Sequence, residues 1–333
     1  MPVLLASAGS ADPLTQAFLL ESLNCLGCLE SGFGEVESAL EHLTRALDLY
    51  AQQDLGTLGT LSLAETQQQP DGLARSLARS HHCFTHYYLA QVYAAQGEGG
   101  KAAAACLATL QLQLETGQWS ADDWTRNCLG MADYCMVEGL RRCGQLLLEC
   151  CDAFVPWAAH QGQQVDEDLQ AHVSAAWGRL ATAILREAAA GHRRDIGGDE
   201  DEETSASSSS GVGGGASNDG EEEEEEGVPL LAAARCIAAL LGLEPSASLP
   251  RPRELASFEA AREVFSLGLR RFQSALGRFQ LDGWVTDHLS LQLEVSALWR
   301  WLQEFEPDLH RRCVMHKRRT SLLEPLLQGI NTR

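Results

Sequence analysis

Between Thr85 and Glu115 the chain reads THYYLAQVYAAQGEGGKAAAACLATLQLQLE. Two apolar helical patterns are split there by the glycine-rich turn Gln96-Gly97-Glu98-Gly99-Gly100. The first pattern sets Leu89, Val92 and Tyr93 at helical spacing, and the second sets Ala102, Ala105, Cys106, Thr109 and Leu110 on one stripe. Neither helix can bury its stripe alone, and a helical pair that cannot close its own core has to stack on neighbours. The chain therefore either repeats this unit or leaves an apolar face open.

It does repeat it. From Phe18 the text FLLESLNCLGCLESGFGEVESALEHLTRALDLYAQQD places Leu23, Leu26, Gly27, Ala39, Leu43 and Ala46 at the offsets later held by His86, Leu89, Ala90, Ala102, Cys106 and Thr109. Small residues at these offsets let two antiparallel helices approach closely, as in the roughly 34-residue tetratricopeptide unit. Leu26 and Leu89 are 63 residues apart, so residues 51–80, rich in Gln, Gly, Thr and Ser, are expected to form an inserted loop. A degenerate third copy runs from Asp123 to Phe154, carrying Tyr134, Cys143, Leu147 and Cys150, with Pro156 as its expected stop. A further helix is expected over about Asp166 to Ala190, with Leu169, Val173, Ala176, Leu180 and Ile184 as its stripe.

Residues 191–228 are expected to be a disordered acidic linker, because Ser, Gly and acids cannot bury enough apolar surface to offset the entropy of ordering. Helical text resumes at Pro229 and breaks at Glu244 to Pro252. Phe258, Ala261, Phe265, Leu269, Phe272, Leu276 and Phe279 then form a long stripe that stops at Asp282-Gly283. Two more helices follow, from about Asp287 to before Pro307, and through His310 to about Leu323 ahead of Pro325. Two-residue alternation is not sustained anywhere. The expectation is an all-α, tetratricopeptide-like solenoid, with repeats over 18–190, the linker over 191–228 and further repeats over 229–328.

Charge narrows the function classes. The net charge of −21 argues against nucleic-acid binding, which needs a basic footprint. Twelve acids without a Lys or Arg fall between Asp199 and Glu226, and the remainder still carries −9. No apolar run approaches the ~18 residues of a membrane span, and the N-terminus lacks the basic start of a secretory signal. Hence no membrane partner is expected, and a cytoplasmic location is. The eleven cysteines scatter through helical text, where reduced thiols are the default.

Candidate chemistry is sparse. Cys25 and Cys28 have metal or redox spacing but lack a second pair and a preceding strand, so they are expected to pack in the core beside Gly27. His82 and His86 lie one helical turn apart without the acid that HExxH places beside its first histidine. The glycines from Gly211 to Gly215 match a dinucleotide fingerprint in letters only, since serines and glutamates flank them instead of a strand and a helix. The basic run from His310 to Arg319 interleaves with Leu309, Cys313, Val314 and Met315, and is expected to be a structural face paired with acids of neighbouring helices, with a protein-partner surface and then a targeting signal as the alternatives. Catalytic residues, cofactor and metal are all expected to be absent. In a tetratricopeptide stack the first helix of each pair lines the concave side, which puts Tyr87, Gln91 and Ala95 there. A clamp for a peptide carboxylate would need lysines on that face, and Lys101 and Lys317 are the chain's two.

The C-terminal text is more specific. FEAAREVFSLG (Phe258 to Gly268), FQLDGWVTDH (Phe279 to His288), SALW (Ser296 to Trp299), RRCVMHKRR (Arg311 to Arg319) and LLEPL (Leu322 to Leu326) resemble the KIF-binding protein family in order and spacing. THYYLAQVY, the following KAA and the Trp124 helix resemble that family's repeat region. The resemblance implies a helical solenoid that binds kinesin motor domains and keeps them off microtubules, without catalysis or cofactor, in association with the cytoskeleton. It also implies that Tyr88, Gln91 and Gln113 face the motor, while Gly130 stands where the family has a polar side chain. By the same comparison the chain begins inside the family's repeat array and stops soon after LLEPL, as a short member would. A generic tetratricopeptide scaffold for a peptide or a complex subunit is the alternative.

Overall fold

The computed structural model describes residues 12–52, 70–197, 219–244 and 249–331. They are helical, and no strand occurs among them. The helices are α1 (Pro13–Gly32), α2 (Val36–Gln52), α3 (Pro70–Ala95), α4 (Gly99–Thr116), α5 (Ala121–Val137), α6 (Arg141–His160), α7 (Glu167–Gly197), α8 (Asp219–Leu240), α9 (Phe258–Arg278), α10 (Val285–Leu302) and α11 (Leu309–Asn331). The chain divides into two compact units, one of residues up to Met131 with Glu225–Gly242, the other of Ala132–Glu224 with Leu243 onward.

In the first unit, α1 starts where Asp12 accepts hydrogen bonds from the Leu14 and Thr15 amides, with Pro13 at the first helical position. It buries Ala17, Leu20, Leu23, Asn24 and Gly27. Gly34, at φ 82°, turns the chain into α2, whose Ala39, Leu43, Ala46 and Leu49 face inward. The approach of the two helices depends on Gly27, since a Cβ there would lie 2.6 Å from the Leu43 Cγ. The helices α3 and α4 repeat the arrangement across a turn with Gly97 at φ 77°. One core cluster joins the two pairs through Ala39, Leu43, Leu89, Ala90, Val92 and Ala105. Between α1 and α3, Asn24 Nδ2 donates to the His81 carbonyl at 2.7 Å and Thr85 Oγ1 donates to Asn24 Oδ1 at 2.9 Å. The α5 indole of Trp124, fully buried, donates to the Leu110 carbonyl at 3.1 Å.

The second unit is built around α7 and α9. A Cβ on Gly178 would fall 2.4 Å from the Phe272 ring, and one on Gly268 would fall 2.8 Å from the Ala181 Cβ. Arg271 pairs with Asp152 at 2.5 Å and lies over the Trp177 ring at 5.0 Å. Arg278 pairs with Glu167 and Asp168 at the start of α7, where acids suit the helix dipole. Ser257 caps α9 by accepting from the Ala260 amide.

Several expected boundaries move. Helix α3 begins at Pro70, so the insert cannot extend to residue 80; Ala74 and Ala78 are buried and hold this extra length. Residues 53–69 lie outside the described residues. Pro156 does not end α6, which runs on to His160 because Phe154 and Ala158 on either side of it are fully buried and outweigh one lost hydrogen bond. Pro325 likewise sits inside α11. Of the expected linker, 191–197 continue α7 and 219–228 open α8. Residues 198–218, with the glycine run, lie outside the described residues.

Candidate partner-binding surface

Helices α1 and α3 open successive repeats and run side by side in the same direction, since Asn24 meets His81 and Thr85 while Cys28, one turn on, acts on Tyr88. On α3 the inward positions are Leu89, Ala90 and Val92. Gln91 is exposed, with Tyr87 (46% exposed) one turn before it and Ala95 one turn after. The phase expected for Tyr87, Gln91 and Ala95 therefore agrees with the observed exposure. Tyr88 is half-buried and packs on the core cluster that holds Leu43 and Leu89. Its hydroxyl pKa is raised, first by burial and then by the thiols of Cys28 and Cys25. Those cysteines are exposed, contrary to the core position expected for them. The inward stripe of α1 runs through Leu20, Leu23, Asn24 and Gly27, which leaves Cys25 and Cys28 together on one outward flank.

The result is a surface of α1 and α3 that carries Cys25, Cys28, Leu29 (59% exposed), Tyr87 and Gln91, with Tyr88 filling the seam. Phe18, Leu26 and Phe33 extend the exposed apolar positions of α1. Residues 12–52 carry seven acids against the single Arg45. An apolar and amide surface on a chain of net negative charge can bury aromatic area, exchange hydrogen bonds and attract a basic partner.

Gln113 does not join this surface. Antiparallel pairing puts Cys83 against the Thr109 carbonyl, which sets Gln113 level with Arg79, about 18 Å along α3 from Gln91 at 1.5 Å per residue. Gln113 is half-buried and its Oε1 is enclosed without a hydrogen-bond partner. Nearby, Tyr50 and His82 stack at 3.7 Å and 5°, and His86 meets the edge of His82 at 4.7 Å. Burial, then the neighbouring His86, push the His82 pKa down to about 4. These histidines form part of an aromatic stack, and among the described residues no group of three or more His, Cys, Asp or Glu could hold a metal.

The basic run on α11 finds few of the acidic partners expected for it. Arg318 lies over Trp299 at 5.1 Å, Arg319 donates to the Ser296 hydroxyl at 3.3 Å, and Arg311 reaches Glu306 at 4.0 Å. Arg318 and Arg319 thus take aromatic and hydroxyl partners on α10. No helix among the described residues is long and apolar enough to cross a membrane.

A family model described as "KIF-1 binding protein C terminal" matches residues 122–333. The chain belongs to that family. KIF-binding protein of Homo sapiens is 29% identical over 332 residues, covering 94% of this chain and 52% of the relative. KIF-binding protein of Xenopus tropicalis is 29% identical over 334 residues, covering 94% of this chain and 53% of the relative. The chain thus spans about half the length of the curated KIF-binding proteins it matches. The solved structure titled "Cryo-EM map of KIFBP" covers 92% of this chain and 52% of that chain, with a TM-score of 0.54 and 25% identity. The resemblance read from the C-terminal motifs therefore stands, and so does the all-α, solenoid-like class.

Proposed function

We propose that this chain is a non-enzymatic regulator that binds kinesin motor domains and hinders their attachment to microtubules, acting in the cytoplasm in association with the cytoskeleton. The observation that carries the reading is membership of a family whose relatives, named KIF-binding proteins, match nearly the whole chain. The α1–α3 surface supports it physically. A motor's microtubule-binding face is basic because tubulin is acidic, and a chain of net charge −21 that exposes Tyr87 and Gln91 suits such a face.

Tyr88 and Gln91 are proposed as contact residues on this surface. Gln113, half-buried and distant along the hairpin, is proposed as a separate contact at the other end of the pair. The test is binding of the full chain to purified motor domains, together with release of motors from microtubules by co-sedimentation. Gln91→Ala is expected to weaken binding by about 1 kcal/mol, roughly fivefold, without changing thermal stability. A chain that binds no motor domain at micromolar concentration refutes the proposal and leaves the scaffold reading.

A further inference from the structure

Among the described side chains of α11, Met315 and Leu326 are the buried ones, so most of the basic run stays at the surface. Arg312, His316 and Arg319 follow one another at i, i+4 and i+7 and therefore share one flank of the helix. Arg319 is half-buried, and its Nε donates to the Ser296 hydroxyl of α10 at 3.3 Å. Arg300 stands exposed one turn beyond Ser296 on α10. Partial burial, and then the charge of Arg300, hold the Arg319 guanidinium below its ordinary pKa. Three guanidiniums thus line the α10–α11 seam, spread over about 10 Å from Arg312 to Arg319 at 1.5 Å per residue. Among the described residues none of the three forms an ion pair. Elsewhere in the same unit Arg141, Arg179, Arg271 and Arg278 each hold a carboxylate. Like charges gathered without acids repel one another, and an anion seated among them relieves that repulsion.

We propose that this arginine row, Arg300, Arg312 and Arg319, is a docking site for an acidic segment of a partner protein that carries carboxylates in close succession. Each guanidinium presents a planar fork of donors that matches the two oxygens of a carboxylate. Alternate side chains of an extended segment lie about 7 Å apart, so a row of about 10 Å takes the acids of about four consecutive residues. Arg300 lies over the Trp301 ring at 5.0 Å and Arg319 is tied to Ser296, which holds two of the forks in place before a partner arrives. Leu309, one turn before Arg312 and 72% exposed, offers an apolar position beside those acids. A chain of net charge −21 repels a long polyanion as a whole, whereas a few residues of acidic peptide need only the row. The partner's charge is opposite to that of a basic motor face, so this site stands apart from the α1–α3 surface.

The experiment titrates the full chain into a fluorescein-labelled hexaglutamate peptide, with hexaglutamine as the control, and reads fluorescence anisotropy. Hexaglutamate alone is expected to bind at micromolar concentration, about tenfold more weakly as NaCl rises from about 50 to about 300 mM, because exposed charge pairs are screened. Replacing Arg300 and Arg312 together by glutamine should weaken binding about tenfold, at up to about fivefold for each exposed pair lost. Both side chains are exposed, so the melting temperature should hold within about 2 °C. Should that double variant melt early, Arg312→Gln alone decides, with a weakening of about threefold expected. Arg126→Gln on α5, an exposed arginine already paired with Asp123, should leave binding unchanged. The proposal is overturned if hexaglutamate fails to bind at about 50 mM salt, or if the glutamine variants bind it as tightly as wild type. It is overturned equally if a short single-stranded DNA or phosphatidylserine vesicles bind as tightly as hexaglutamate. Sedimentation showing self-association that the same substitutions abolish would put a second copy in the row and overturn it too.

Discussion

Gly178→Ala sets two opposing effects against each other in the middle of α7. Alanine is preferred over glycine in a helix interior by about 1 kcal/mol, so an unobstructed site gains that much. At Gly178 the new Cβ would lie 2.4, 2.5 and 2.6 Å from three atoms of the Phe272 ring. Carbon atoms attract at about 3.5–4.0 Å, so each contact is about 1 Å or more inside its optimum. Phe272 is fully buried, and its ring has no exposed side toward which to retreat. Overpacking of this kind costs about 3 kcal/mol at the upper end of its usual range. The net is a loss of about 2 kcal/mol, or a fall of about 4–8 °C in melting temperature for a unit of this size. Gly130→Ala supplies the reference, since a Cβ there meets nothing within 4 Å, and it should raise stability by up to ~1 kcal/mol. Thermal and urea unfolding followed by circular dichroism measure both. A Gly178→Ala variant as stable as wild type would show that the α7–α9 crossing is not limited by the Phe272 ring.

Leu89→Ala should destabilise the first unit by about 2–5 kcal/mol, as the 2%-exposed side chain leaves a cavity among Leu43, Val92 and Ala105; urea unfolding reads this, and a neutral outcome would move the proposed face of α3. Because burial depresses the folded-state pKa of His82 to about 4, the unfolded chain binds this proton first on acidification, so stability should fall from pH 6.5 down to about 4 and then level off. His82→Phe keeps the ring against Tyr50 and should flatten that decline, which melting curves across the range will show. Arg271→Lys should cost about 1 kcal/mol, since an ammonium cannot reproduce both the paired contact with Asp152 and the stacking over Trp177.

What could be read in advance was local. The spacing of Leu89, Ala90 and Val92 fixed the phase of α3 and hence the exposure of Tyr87 and Gln91. Gly27 was identified as a packing glycine, and Leu43 is what it accommodates. The same phase, carried back two residues and on by one, puts Cys25 and Cys28 outside the core, whereas their adjacency to Gly27 led to the expectation of core packing. Helix ends were harder. Pro156 carries a stop signal that burial of Phe154 and Ala158 overrides, and Pro325 also lies within a helix. Contacts between distant segments left no trace in any window of sequence: Phe272 against Gly178, Arg271 with Asp152 and the separation of Gln113 from Gln91 all depend on which helix lies beside which. The candidate surface was thus half visible, its α3 side from periodicity and its α1 side only once Cys28 and Tyr88 were seen together.

The hydrogen bonds of Asn24 to His81 and Thr85 have a meaning beyond their energy. Apolar ridges slide over one another at little cost, whereas a buried amide displaced by one turn would lose both partners, at about 1–3 kcal/mol for each group stranded. The amide acts as a key, fitting one axial alignment of α1 against α3 and rejecting its neighbours. Alignment of the two repeats then depends on no dimension of the segment that joins them. Shortening or replacing 53–69 should leave α3 seated as it is, which makes this connection the natural place for insertions to accumulate without disturbing the repeats on either side.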